Sequence, residues 1–223
     1  MVALAVAVAV AVTACSRSAA ATARPATVVA GAATVAPLVG GDTSAAQLDR
    51  SRILGDSTAK VWLIMVSDFQ CPYCKQFHEE SFAKLRDEYV ATGKVRMAYI
   101  NFPLSIHQNA WPAAEAAMCA GVQGKFWPMH DALFAGQDAW AEQHPATRAI
   151  DSLASKVGVD TVALDRCVAQ HVTKALIAAD ADRGDRAGVH STPTVLIGGT
   201  LLLGVRPIED YRRTLDSALA AGK

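Results

Sequence analysis

KVWLIMVSDFQCPYCKQF, Lys60 to Phe77, joins two patterns that belong to different kinds of backbone. Its first part, Lys60 to Phe69, is a nearly unbroken apolar run of strand length, as expected of a central strand buried on both faces. The segment that follows, CPYCKQFHEESFAKLRDEYVATG, repeats Cys74, Phe77, Phe82, Leu85 and Tyr89 at spacings of three to five, with Gly93 at its end. That is the pattern of a helix with one apolar face and a glycine stop. Pro72 stands in the first turn, where a helix tolerates a residue without a backbone N–H. Cys71 and Cys74 therefore sit at a strand-to-helix junction, one at the helix N-terminus and one a turn inside. Spacing alone leaves such a pair open as a redox couple, half of a zinc site, or neighbours with no joint role.

Outward from this junction the signals alternate. VRMAYINF, Val95 to Phe102, reads as a second strand, and from about Asn109 to Asp182 every signal is helical, punctuated by Gly121, Gly124, Gly136, Pro145 and Gly158. TVLIGGTLLLGV, Thr194 to Val205, reads as two short strands joined by Gly198-Gly199, and a last helix behind Pro207 carries Ile208, Tyr211, Leu215 and Leu219 on one face. The order is β-α-β, a helical block, then β-β-α. The expected class is α/β: a thioredoxin fold with a helical domain inserted between the second and third core strands, at about 108–183. In that fold, a C-x-x-C opening the first helix after a central strand is the redox centre.

The chemistry gives each sulfur a part. A thiolate is the nucleophile, and free N–H groups with the positive dipole end at a helix N-terminus favour the charged form. Cys71 is expected to be the exposed, acidic, attacking sulfur, and Cys74 the buried thiol that resolves a mixed disulfide. Pro72 and Tyr73 between them set ring geometry and part of the redox poise. A structural zinc site wants four ligands, yet no second C-x-x-C exists, and Cys119 and Cys167 are single and far apart. His78, four residues after Cys74, is the one candidate to join such a site, and reads better as a partly exposed helix residue beside Glu79 and Glu80. No metal is expected. Ser191-Thr192-Pro193 precedes the strand TVLI, a place where proline cannot serve the ladder. The usual isomer is trans. The topology, however, brings this loop beside the first helix's N-terminus, where a cis proline leaves the Thr192 backbone free to pair with an extended substrate. The cis isomer is therefore expected.

From about Ile53 to Gly222 the chain resembles the DsbA-like family of extracytoplasmic thiol:disulfide oxidoreductases, in the branch that includes lipid- or membrane-anchored actinobacterial members. The resemblance is carried by SDFQCPYC (Ser67 to Cys74), NFPLSIHQNA (Asn101 to Ala110), GKFWPMHDALFA (Gly124 to Ala135) and GVHSTPTVLIGG (Gly188 to Gly199). It implies Cys71 as nucleophile, Cys74 as resolving cysteine, Thr192 and Pro193 as substrate platform, and a helical insert that lends a binding groove. It also implies chemistry by the cysteine pair without a cofactor, exported proteins with cysteines as substrates, and a membrane redox partner that recycles the pair. Three positions depart from or modulate the pattern. Met65 stands where thioredoxins and some family members carry a buried acid. Asp68 reads either as its substitute in proton transfer or as a strand-end residue solvated at the sheet edge. His190 reads either as a titratable neighbour that tunes the Cys71 thiolate or as a plain loop histidine. His107, Trp127 and His130 read as packing or capping residues.

The N-terminus reads as an address. Ala3 to Ala14 is a run of 12 apolar or small residues, against the roughly 20 that a membrane-spanning helix needs, and suits the hydrophobic region of a signal peptide. Val12-Thr13-Ala14-Cys15 resembles a lipobox, so residues 1–15 are expected to be a signal peptide with lipobox and Cys15 the lipidated residue. Cleavage near Ala21-Thr22-Ala23 is the alternative and gives a secreted protein. Residues 16–47, rich in Ala, Thr, Ser, Pro and Gly, read as a flexible tether with a reach of roughly 30 Å. Residues 48–223 are the folded domain, expected to be monomeric because the tether is too plain for a dimerisation domain. With Cys15 lipidated and Cys71 and Cys74 in the active site, parity leaves Cys119 and Cys167, in a compartment that permits disulfides. A structural disulfide is expected, two buried free thiols being the alternative.

Lys plus Arg and Asp plus Glu balance at 21 each, which leaves no electrostatic footprint for nucleic acid. The functional expectation is an extracytoplasmic, lipid-anchored oxidase that introduces disulfides into exported proteins. A reductase or isomerase with the same site is one alternative. A copper- or zinc-handling lipoprotein that uses the two thiols as ligands is another.

Overall fold

The computed structural model describes residues 43–222. The expectations for the signal peptide, for Cys15 and for residues 16–42 of the tether lie outside these. Residues 43–47, read as the end of the tether, instead begin helix α1 (Thr43–Ser51). This helix is held by the buried Leu48 and by Asp49, which pairs with Arg52. Composition hid it because the anchoring residues fall after the Ala/Thr-rich stretch.

The sheet runs β1-β3-β2-β4-β5. Its centre is β2 (Val61–Ser67), which is buried at every position except Trp62, the consequence of an apolar run covered on both faces. β3 (Val95–Asn101) pairs with it in parallel, and β4 (Thr194–Ile197) antiparallel on the other side. β5 (Thr200–Leu203) folds back on β4 through Gly198 and Gly199, whose φ values of 54° and 89° suit a tight hairpin turn. The two-residue β1 (Ile53–Leu54) lies antiparallel on β3 and is too short to leave a periodic signal.

The register places the site. Ser67 lies opposite Asn101, Val66 opposite Thr194, and Thr194 opposite Leu203. The segments that follow β2, β3 and β5, and the one that leads into β4, therefore meet at one end of the sheet. After β2 comes α2, which runs from Pro72–Phe77 to residue 90 and widens to i→i+5 turns at His78–Phe82 and Arg86–Val90. The five-residue step from Phe77 to Phe82 in the sequence is the trace of the first wide turn, since it keeps both rings buried on one face.

Between β3 and β4 stand six helices: α3 (Ala110–Val122), α4 (Phe126–Ala135), α5 (Gln137–Trp140), α6 (Thr147–Lys156), α7 (Thr161–Ala169) and α8 (Lys174–Arg186). One hydrophobic cluster runs from β2 and α2 through the small buried residues of α3 to Trp140 and Ile150, so block and sheet share a core. A disulfide joins Cys119 of α3 to Cys167 of α7. α9 (Ile208–Ala220) closes the other face with Tyr211, Leu215 and Ala218. The architecture is a thioredoxin-like α/β fold with a helical region inserted into it. Among the described residues no helix is long and apolar enough to cross a membrane.

Candidate redox site

Cys71 caps α2 with an extended backbone, φ −68° and ψ 123°, and its carbonyl accepts the N–H groups of Cys74 and Lys75 at 3.0 and 3.2 Å. Pro72 takes the first helical position. The Cys71 sulfur lies 3.5 Å from the Thr192 carbonyl oxygen, and the Thr192-Pro193 bond is cis. One turn inside, the Cys74 sulfur accepts the Asp68 backbone N–H at 3.5 Å. Both thiols are free.

The two sulfurs are driven apart in acidity. A hydrogen bond from Cys74 does most to bring the Cys71 thiol down from 9.0 to about 6, helped against burial by hydrogen bonding with Thr192 and the N–H groups of Cys74 and Tyr73. Burial does most to push Cys74 well above its ordinary value, and the neighbouring Cys71 adds to it. One expectation is corrected. Cys71 is only 3% exposed, because the Thr192-Pro193 loop covers its sulfur. Pro72 and Tyr73, the latter at 62%, are the residues of the motif that stand in solvent.

Asp68 is neither solvated nor turned to the thiols. Its fully buried carboxylate accepts Gln70 N at 2.8 Å and Leu104 N at 2.9 Å, and lies 2.7 Å from His107 Nδ1. It holds the loop after β3 against the loop after β2. His190 is exposed, and the groups that hold the Cys71 thiolate are those of Cys74, Thr192 and Tyr73. His78 turns to Asp131 at 3.1 Å, and among the described residues no third His, Asp or Glu clusters with the two thiols.

Three polar residues that the sequence did not single out fix the active-site loop to the helical block. Gln137 of α5 is buried and donates through Nε2 to the carbonyls of Phe69 at 2.7 Å and Cys71 at 3.1 Å. Gln70 Nε2 donates to the Ala141 carbonyl at 2.7 Å, and its Oε1 accepts Asn109 N at 2.6 Å. Asn109 Nδ2 in turn donates to the carbonyls of Ala141 and Gln143 at 2.9 and 2.8 Å. Beside the cysteines an open groove of about 610 Å³ runs between α2 and the loop after β5, lined by Tyr73, Gln76, Glu80, Thr192, Val205 and Arg206 among others.

The thioredoxin family model matches residues 47–217. The chain is 34% identical over 176 residues to Na(+)/H(+) antiporter NhaA 3 of Salinispora tropica, a match that covers 78% of this chain and 26% of the antiporter. It thus spans about a quarter of the length of the antiporters it matches. "Probable disulfide bond formation protein D" of Bacillus anthracis is 26% identical over 153 residues, covering 66% of this chain and 70% of that one. Among solved structures, a thioredoxin-like oxidoreductase from Silicibacter pomeroyi superposes with a TM-score of 0.64 at 26% identity, over 80% of this chain and 98% of its own. Oxidised BdbD from Bacillus subtilis shares the fold, with a TM-score of 0.69 at 20% identity over 76% and 92%.

Proposed function

The chain belongs to the thioredoxin family, and on that premise we propose that it is a DsbA-like protein thiol:disulfide oxidoreductase that works as an oxidase through Cys71 and Cys74. In the oxidised protein, a substrate thiolate attacks the Cys71 sulfur. The Cys71–Cys74 bond breaks, Cys74 leaves with the electron pair and takes up a proton, and substrate and Cys71 form a mixed disulfide. A second substrate thiolate attacks the substrate sulfur of that bond and expels Cys71 as thiolate. Two electrons have then passed from the substrate dithiol to the pair, and no further cofactor is called for.

The observation that carries the oxidase direction is the contrast in acidity: Cys71 at about 6 is a good leaving group, and its stabilised thiolate favours the reduced pair. Thr192 and Pro193 serve as the platform for an extended substrate chain, and Tyr73 and Arg206 border the groove it crosses. The substrates are exported proteins with cysteines, and a membrane redox partner reoxidises the pair. The protein works outside the cytoplasm as a monomer, anchored through a lipid on Cys15, or secreted if the leader is cleaved further on. The name of the Bacillus anthracis relative supports disulfide formation. The antiporters' transport is no part of the proposal, since the chain spans about a quarter of them.

The test is the reduction potential of the Cys71/Cys74 couple, equilibrated against glutathione and read by alkylation. A value of roughly −120 to −180 mV is expected, the range of disulfide-donating couples. One near about −270 mV makes the protein a reductase. A pair that does not cycle returns the thiols to the metal-ligand reading.

A further inference from the structure

His78, His130 and Asp131 take no part in the hydrogen bonds of the cysteine pair, yet their donor atoms converge. His78 Nε2 lies 3.1 Å and His130 Nδ1 2.8 Å from the same oxygen, Asp131 Oδ1, and the ligating atoms of the three all fall within 4.8 Å of one another. Both rings are fixed by packing. His78 is stacked with Phe82 at 5.3 Å and with Phe134 at 5.2 Å, and His130 is met edge-on by Phe69, Tyr99, Trp127 and Phe134. We propose that these three residues form a binding site for a borderline divalent transition-metal ion such as Zn2+, which would tie the wide turn of α2 to α4.

The donor set is imidazole, imidazole and carboxylate, the mixture that suits zinc, copper and nickel rather than magnesium or calcium. Ligands about 2.1 Å from a tetrahedral ion stand about 3.4 Å apart, so the two His–Asp spacings of 3.1 and 2.8 Å would open by about 0.3 and 0.6 Å, while the two ring nitrogens, within 4.8 Å of each other, would draw together around the ion. The other charged group facing the cluster is Arg86, whose Nη1 lies 3.8 Å from Asp131 Oδ2. It orients the carboxylate from outside and leaves Oδ1 toward the rings. The His78 and Asp131 side chains are 17% and 42% exposed, which gives an entry path and room for water to complete the coordination.

The experiment is a Co2+ titration of the full chain with the Cys71–Cys74 disulfide formed, which removes those thiols as ligands. Saturation at one equivalent is expected, with visible ligand-field bands, no thiolate-to-cobalt charge-transfer band, and displacement by Zn2+. His78→Gln and Asp131→Asn should each weaken binding by more than the roughly 10–100-fold that loss of an outer-shell partner costs. The acidity of Cys71, read by alkylation after reduction, should stay unchanged and so report that each variant is folded. Absence of bands at millimolar Co2+ overturns the site, as do bands that persist at equal affinity in both variants. If one variant does not fold, the other decides the ligands. The cysteines are oxidised throughout, so the outcome is independent of the direction in which the redox pair works.

Discussion

Cys71 owes its acidity to a neighbour before it owes it to the helix. The Cys74 hydrogen bond contributes most to the fall to about 6, ahead of Thr192 and the backbone N–H groups. Alkylation of the reduced protein by iodoacetamide should therefore accelerate with pH around a midpoint near 6, well below the ordinary cysteine value of about 8.5. Cys74→Ala, which deletes the largest contribution, should move the midpoint upward. A wild-type midpoint at the ordinary value, or one that Cys74→Ala leaves in place, contradicts this account. At this scale the legible residues were those whose meaning lies in contiguous sequence: Cys71-Pro72-Tyr73-Cys74 and Thr192-Pro193 each carry their own geometry. Gln137 was illegible because its partners are backbone carbonyls 66 and 68 positions away, and a helical glutamine carries no local sign of such a bond. Asp68 drew attention for its place in the sequence, but its role as the acceptor for the loop after β3 depends on a register that composition does not record.

Elements followed the sequence where hydrophobic period and length agreed. β2, β3 and the Gly198-Gly199 hairpin are apolar runs of strand length and α9 has a clear helical period, and the long helical stretch between β3 and β4 admitted no strand. α1 and β1 escaped because one begins in alanine-rich sequence and the other is two residues long. The wide turns of α2 were visible only as an irregular spacing, which sequence reading absorbed into an ordinary helix. Within the helical block, α3 and α7 are held by more than packing. The Cys119–Cys167 bond closes a loop with a sequence separation of 48, and in the chain-entropy model such a cross-link contributes up to about 4 kcal/mol. Cys119→Ser and Cys167→Ser should each lower the unfolding free energy toward that amount in urea titrations of the oxidised protein. Loss of both cysteines together should be no worse than loss of one. If either single variant unfolds at the wild-type midpoint, the bridge is structurally idle.

In the whole molecule, a buried ionic cluster connects the entry helix to the site. Arg52 is held between Asp49 and Asp180 and donates to the Tyr99 carbonyl at 3.1 Å. Asp180 also accepts Arg183 at 2.9 Å and the backbone and side-chain N–H groups of Asn101 at 3.1 and 3.0 Å. Tyr99 stacks on Phe69 at 4.8 Å, and Phe69 carries the carbonyl that Gln137 clasps. The loop around the cysteines is thus tied to a sheet and a helical block that do not depend on redox state, so a change of redox state should register in global stability mainly through the two thiols. Cys71 has a native value near 6 against about 8.5 unfolded, so between these pH values the unfolded chain binds the extra proton and stability rises with pH. Below about 6 both states are protonated and that contribution is gone. Above about 8.5 the sign reverses, because the unfolded chain ionises Cys74 while the native state keeps its proton. The stability of the reduced protein relative to the oxidised one should therefore climb from pH 6, by at most about 1.4 kcal/mol per pH unit for a single proton, and fall beyond about 8.5. Urea unfolding of both forms across this range would read it, in a Cys119→Ala/Cys167→Ala background where only the active pair changes. A difference that stays flat between pH 6 and 8 would mean that the thiolate is no more favoured in the folded protein than in the unfolded chain. The acid shift of Cys71, and the leaving-group argument for an oxidase, would fall with it.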